Sequence, residues 1–279
     1  MMWKKFAFAD EAAVDLDGQI AALSRNNLNG LEIRGVDGEN VVNITVEKAK
    51  EIRRKLDANG LSVWSIGSPI GKIGIADDFA PHKEQFLHKL ELPDILGASH
   101  YRLFSFYIPA DVDPADCRNE VIDRLGELCA LGAKSGLVFC HENEKGIYGD
   151  KAARCADLLE ALPTLKAVFD PANFIQCGQD VWAAWQLLRY RTAYLHVKDA
   201  LADGKIVPAG CGIGHLPDIV QAFAKQGGNA LTIEPHLAVF SGLADLEFDG
   251  ETAAKMDSFA YPDNNTAFDA ACAALQKLL

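Results

Sequence analysis

The chain has no CxxC pair, no GxGxxG after its first apolar run, no GxxxxGK[ST], and no uninterrupted apolar window of about eighteen residues. Each absence removes a class. Neither a Rossmann dinucleotide site nor a P-loop is indicated, and no membrane-spanning helix is expected. The cysteines, Cys117, Cys129, Cys140, Cys155, Cys177, Cys211 and Cys272, are odd in number, which argues against a complete disulfide framework. Several fall on apolar strand or helix faces, so free buried thiols are expected. The N-terminal MMWKKFAFADEAA holds a short apolar stretch interrupted by Asp10 and lacks the core of a signal peptide; a cytoplasmic protein fits. Basic runs are also missing. The net charge is -12, and lysines and arginines occur singly or in short groups such as Lys48 to Lys55, the solvated face of a helix. Such a field repels polyanions, so no nucleic-acid or membrane partner is expected.

What is present is apolar and periodic. Apolar residues make up 49% of 279 residues and charged residues 24%, enough for a large core without staples. Short apolar runs alternate with amphipathic stretches from end to end, the pattern of βα units around a parallel sheet. Eight strands are predicted: Lys5 to Ala9, Gly30 to Val36, Leu61 to Ile66, Tyr101 to Tyr107, Gly136 to His141, Leu165 to Phe169, Ala193 to Val197 and Ala230 to Ile233. Between them, sets such as Val46, Ala49, Ile52 and Leu56 recur at helical spacing, and Phe268, Ala271, Leu275 and Leu278 close the chain as a last helix. Eight such units fit an α/β chain folded as one (β/α)8 TIM barrel over residues 1–279, because a closed barrel buries every strand edge. An open doubly wound sheet is the alternative.

Two connections look too long for plain loops: Ser68 to Asp78 after strand three and Ser241 to Asn265 after strand eight. Both are candidates for a lid or a subunit contact in a homo-oligomer. Gly210, Gly212 and Gly214 follow a hairpin-like Asp203-Gly204 and read as turn residues.

Barrel enzymes place their chemistry at the C-terminal ends of the strands. There, strand five ends LVFCHEN with Glu142, strand six AVFDPAN with Asp170, strand seven YLHVKD with His196 and strand eight LTIEPH with Glu234. The gaps are 28 (170 − 142), 26 (196 − 170) and 38 (234 − 196) residues, close to one βα repeat each with one longer loop. Singly, Asp170 before Pro-Ala-Asn reads as a cap and His196 as a hydrogen-bonded core residue. Equal phase on four neighbouring strands makes them a site. Three clustered carboxylates repel one another unless a cation stabilises them, so one divalent metal ion is expected. Three oxygens and an imidazole suit Mn2+, Mg2+ or Co2+, and Zn2+ with open positions also fits. Alternation sends His141 to the other side of its strand from Glu142.

The segments HENEKGIYGD (141–150), FDPANF (169–174), YLHVKD (194–199) and TIEPHL (232–237), preceded by GLEIRG (30–35), resemble the xylose isomerase-like barrels, in particular the sugar phosphate isomerase/epimerase group. That superfamily also holds ketose 3-epimerases, inosose dehydratases and endonuclease IV. The resemblance implies that Glu142, Asp170, His196 and Glu234 are metal ligands and that Glu142 and Glu234 flank the substrate carbon as an acid/base pair. Proton removal beside a carbonyl requires a base on one face and stabilisation of the enediolate oxygen, and epimerisation needs a second group opposite. Where epimerases and endonuclease IV carry His, this chain has Asn173, which can bind a sugar hydroxyl but replaces a second-metal ligand poorly. Arg34, Lys72, Lys145, Lys198 and His236 fall at strand ends or in following loops, where they would bind substrate hydroxyls or phosphate; the competing reading pairs Arg34 with Glu32 and Lys198 with Asp199.

The sequence therefore points to an enzyme, a divalent-metal-dependent isomerase or epimerase of a small sugar, polyol or sugar phosphate. An inosose-type dehydratase on the same metal site is the main alternative. A phosphodiesterase acting on abasic DNA is disfavoured by the acidic charge and the missing histidines. A non-catalytic sugar-binding barrel is the third, since fold alone does not establish activity.

Overall fold

The computed structural model describes residues 2–241, 243 and 261–279. Eight parallel strands form its centre: β1 (Lys4–Ala7), β2 (Gly30–Ile33), β3 (Ser62–Ile66), β4 (His100–Leu103), β5 (Val138–Glu142), β6 (Lys166–Phe169), β7 (Thr192–Val197) and β8 (Ala230–Ile233). They close in chain order, with β1 pairing both β2 and β8; Lys4 lies opposite Ala230 and Ala7 opposite Ile233. That last pairing excludes the open sheet. β2 and β8 are buried at every position, as strands covered on both faces must be.

Helices cover the outside: α1 (Leu16–Arg25), α2 (Val46–Ala58), α3 (Phe79–His88), α4 (Leu92–Leu96), α5 (Pro114–Gly132), α6 (Ala152–Ala161), α7 (Pro171–Gln176), α8 (Val181–Leu188), α9 (Leu216–Lys225) and α10 (Asn264–Leu278). Their apolar faces are the expected ones: Ala49, Ile52 and Leu56 of α2 and Phe268, Ala271 and Leu275 of α10 are buried. Side-chain caps fix many of the starts. Asp15, Thr45, Asp78, Asp113, Asp170, Asp180 and Asp263 each accept a backbone N–H of the first turn, satisfying donors that the helix itself leaves unpaired. No described helix is long and apolar enough to cross a membrane. All seven cysteines are unpaired, with Cys129, Cys140, Cys155 and Cys272 buried.

Several strands end earlier than the apolar pattern predicts. β2 stops at Ile33, and Gly35–Val36 turns into a small hairpin with Glu39–Asn40. β4 stops at Leu103, and the rest of its apolar run pairs elsewhere. Phe104 N donates to Ile70 O (2.8 Å), Phe106 N to Gly71 O (2.9 Å) and Tyr107 N to Ile73 O (2.9 Å). These bonds tie the long connection after β3 to the β4 exit, so this stretch is a fixed wall of the mouth rather than a free lid. Gly71 is required there: at φ +94° a Cβ would stand 1.9 Å from Phe104 O. Of the second long stretch, 241–265, residues 242 and 244–260 lie outside the described residues.

The barrel interior is packed below the mouth. Cys140, Val168, Tyr194 and Ala230 form a buried cluster against Trp64, which stacks on Phe6 (5.2 Å between centroids) and His100 (4.0 Å). Polar side chains above this floor are therefore cut off from water on that side.

The glycines at 210, 212 and 214 do more than turn the chain. Their backbone N–H groups converge on the buried Asp199: Gly210 and Gly212 donate to Oδ2 (2.9 and 3.0 Å), Gly214 to Oδ1 (2.9 Å), joined there by Ala200 N (2.9 Å). A Cβ on Gly212 would lie 2.3 Å from Ala200 O. Asp199→Ala leaves four donors without their acceptor and is expected to cost about 2–3 kcal/mol, read as a lowered denaturation midpoint at unchanged m-value; an unchanged midpoint would show that the loop does not depend on this carboxyl group.

Candidate metal centre

Alternation in the barrel strands aims one row of side chains inward. Glu142 ends β5, Asp170 follows β6, His196 lies in β7 and Glu234 follows β8, and all four are buried. One donor atom from each lies within 4.8 Å of the others. The inward atoms are Glu142 Oε1, Asp170 Oδ2, Glu234 Oε2 and His196 Nδ1, which stands 2.9, 3.8 and 3.3 Å from the three oxygens respectively.

The other polar atom of each group is tied outward. Glu142 Oε2 accepts from Arg102 Nη1 (2.9 Å), and Glu234 Oε1 from Arg34 Nη1 (3.4 Å). Asp170 Oδ1 caps α7 by accepting from Asn173 N (2.8 Å), and His196 Nε2 faces Glu32 Oε2 (3.0 Å). Asp170 is thus both the cap that a lone Asp-Pro suggests and a member of the cluster. With one atom anchored, each group offers a single donor to the centre.

Charge in the cluster is compensated, though unevenly. Lys198 Nζ lies 3.0 Å from both Asp170 Oδ2 and Glu234 Oε2, not beside Asp199. Burial works to raise the Glu142 pKa, but His196 and Arg102 outweigh it and hold the group at about 2, below its ordinary 4.5. For Glu234, burial is likewise overcome, chiefly by Lys198, and the carboxyl is held well below its usual range. At Asp170 burial wins over Lys198 and the pKa rises. Burial pulls the His196 pKa down, yet Glu142 and Glu32 drive it well above its usual value. Asp170 Oδ2, buried, accepts no hydrogen bond among the described residues. Among those residues its only ion-pair partners are Lys198 Nζ at 3.0 Å and His196 Nδ1 at 3.8 Å; three buried carboxylates and one imidazole converging there form an O3N donor set that suits one hard divalent ion.

Glu11, Glu234 and His236 form a second acidic group. The Arg34 guanidinium already stands in it, 3.1 Å from Glu11 Oε1 as well as 2.8 Å from Asp10 Oδ2, so its charge is met without an ion. Arg34 pairs with these groups and not with Glu32. Its guanidinium carbon stands over the rings of Phe8 (4.3 Å) and Phe240 (4.9 Å).

Arg34, Lys72, Lys145, Asn173, Lys198 and His236 all line the cavity above Glu142 and Glu234. Lys72 pairs with Glu144 (3.0 Å), and Asn173 Nδ2 donates to Asn143 O (2.9 Å) with Glu142 Oε1 at 3.5 Å. Asn173 therefore backs a candidate ligand as a donor. His141 points away from the centre, its Nε2 2.9 Å from Ser105 Oγ. The sequence reading missed Arg102 and the role of Glu32. Strand alternation carried the signal for Glu32: it shares a phase with Arg34 inside an otherwise apolar run, as Tyr194 does with His196 and Lys198.

Comparison with known proteins places the fold. The family described as "Xylose isomerase-like TIM barrel" matches residues 20–255. No curated protein matches the chain in sequence. Among solved structures, D-psicose 3-epimerase with D-tagatose from Clostridium cellulolyticum H10 is similar at TM-score 0.76 and 14% identity, over 99% of this chain and 98% of that one. The probable 3-DHS dehydratase AsbF of petrobactin synthesis from Bacillus anthracis is similar at TM-score 0.70 and 19% identity, over 94% and 100%. The IOLI protein with a binding zinc atom is similar at TM-score 0.71 and 12% identity, over 99% and 97%.

Two predictions follow the electrostatics. Because the Glu142 pKa is depressed by folding, the stability it contributes is complete above pH 4.5 and is lost as pH falls toward about 2. Denaturant midpoints of metal-free protein should fall through that window, and the fall should be shallower in Glu142→Gln. Lys198→Met removes the ammonium between Asp170 and Glu234 and is expected to tighten Mn2+ binding about tenfold or more in calorimetric titration; weaker binding would show that the lysine supports the ion rather than competing with it.

Proposed function

The chain belongs to the xylose isomerase-like TIM barrel family, and from that premise we propose that it is a divalent-metal-dependent isomerase or epimerase of a small sugar, polyol or sugar phosphate. The observation that carries the proposal is the convergence of Glu142, Asp170, His196 and Glu234, each with one donor turned inward and one anchored outward. We assign these four as ligands of one ion, of the Mn2+, Mg2+ or Co2+ type; the zinc of the IOLI structure makes Zn2+ a fourth candidate. When bound, such an ion polarises a carbonyl and stabilises negative charge on its oxygen.

The chain's own groups do the rest. Arg102 and Lys198 favour the ionised forms of Glu142 and Glu234, the state in which either can take a proton from the carbon next to a carbonyl. The two stand on β5 and after β8, separated by β6 and β7, so a substrate lying across the mouth is reached from different directions. Arg34, Lys72, Lys145, Asn173, Lys198 and His236 are assigned to hold substrate oxygens, with hydroxyls or a phosphate as partners. The packed floor below keeps water from the reacting carbon on that side.

A dehydratase is the second reading, favoured by the Lys198 ammonium, which sits beside Glu234 where it can donate a proton to a departing β-hydroxyl. NMR analysis of products from a panel of ketoses, keto-polyols and keto acids separates the two: a stereoisomer of equal mass for the first, loss of water for the second. In either case Glu234→Gln is expected to lower deuterium exchange at the substrate α-carbon about 100-fold or more; exchange at the wild-type rate would sink the acid/base assignment.

A further inference from the structure

Behind His196 lies a buried polar chain that no step above uses. Glu32 is fully enclosed in β2; its Oε2 lies 3.0 Å from His196 Nε2 and its Oε1 accepts from the Tyr194 hydroxyl (2.8 Å). The Tyr194 oxygen in turn lies 3.1 Å from Ser65 Oγ, in β3. The chain runs down into the packed floor, where Tyr194 meets Trp64 edge-on at 5.9 Å. The imidazole is also gripped across its plane, by Phe8 edge-on at 5.3 Å and by Tyr194 at 5.6 Å.

A histidine ring has two nitrogens, and only the one without a proton can bind a cation. With an acidic group at each nitrogen, the ring by itself has no reason to offer one edge rather than the other. The surroundings break that symmetry. Glu142, Asp170 and Glu234 on the Nδ1 side each have a lysine or arginine within 3.4 Å, whereas Glu32 has its second oxygen held by Tyr194 and, among the described residues, no ion pair except the one with His196. A proton kept at Nε2 satisfies Glu32; a proton kept at Nδ1 would bar the centre.

We propose that Glu32, braced by Tyr194 and Ser65, is a positioning residue that holds the His196 proton at Nε2 and so makes Nδ1 the donor atom for the ion. The arrangement is the buried carboxyl–imidazole–cation relay by which protein sites orient and strengthen imidazole ligands. It also explains a Glu in the middle of an apolar strand that does not line the cavity above Glu142 and Glu234. The inference rests on the metal reading of the site proposed above.

The test is Zn2+ binding to histidine-15N-labelled protein, with long-range 1H–15N spectra to read the ring tautomer in the loaded state. Wild type is expected to show the His196 proton on Nε2 and the metal-shifted nitrogen at Nδ1. Glu32→Gln, folded by circular dichroism, is expected to bind Zn2+ about 10- to 100-fold more weakly, and Tyr194→Phe to show a smaller loss of the same kind. A wild-type spectrum with the proton on Nδ1, or Zn2+ affinity unchanged in a folded Glu32→Gln, would overturn the proposal. The wild-type spectrum decides the matter even if Glu32→Gln does not fold. A wild type that takes up no Zn2+, Mn2+ or Mg2+ at all would instead overturn the metal reading and this inference with it.

Discussion

Three carboxyl groups buried within a few ångströms of one another are costly to keep ionised, and the mouth of this barrel is arranged around that cost. Arg102, Arg34 and Lys198 come from three different strand ends to meet Glu142, Glu234 and Asp170. The guanidinium groups are themselves stacked on Phe8, Phe104 and Phe240, so the cations are fixed as firmly as the anions they compensate. Asp170 is the group for which burial outweighs its cation: its pKa rises although Lys198 stands 3.0 Å from its inward oxygen.

The fold serves this centre in two ways. Strand alternation delivers Glu32 and Arg34, Tyr194, His196 and Lys198, and Glu234 and His236 to one interior surface, while the cluster of Cys140, Val168, Tyr194 and Ala230 closes that surface from below. The loops then hold the rim. The connection after β3 is tied to the exit of β4, and the stretch after β7 is wrapped around Asp199 by backbone donors. A site that must hold its geometry to fractions of an ångström gains from such fixed walls.

The chemistry proposed for the centre is common to proton transfer next to a carbonyl and to loss of a neighbouring hydroxyl. Both need a base and a place for negative charge, and they diverge only in which bond breaks next. Lys72, Lys145 and Tyr107 stand around the same cavity as Lys198, above the inward donors.

The barrel, its eight strands and the four candidate ligands could be read from the chain because each rests on a local pattern: apolar runs of strand length, helical spacing between them, and a polar residue in the same phase at each exit. The resemblance of HENEKGIYGD, FDPANF, YLHVKD and TIEPHL to one family added the expected roles. Strand ends were read less well. β4 stops short of its apolar run because Phe104 finds a backbone partner distant in sequence, Ile70, and β2 because Gly35 turns at once into a local hairpin with Asn40. The pairings of Arg34, Arg102, Lys198 and Glu32 were likewise beyond reach, since Arg34 meets Glu234 200 residues away and His196 meets Glu32 164 residues away. Phase along a strand is a property of the local sequence, and so the sequence by itself determined which residues face the mouth. Which of them touch, which oxygen of each carboxyl turns inward and which nitrogen of His196 is left for a cation depend on barrel closure, and only the tertiary structure decided them.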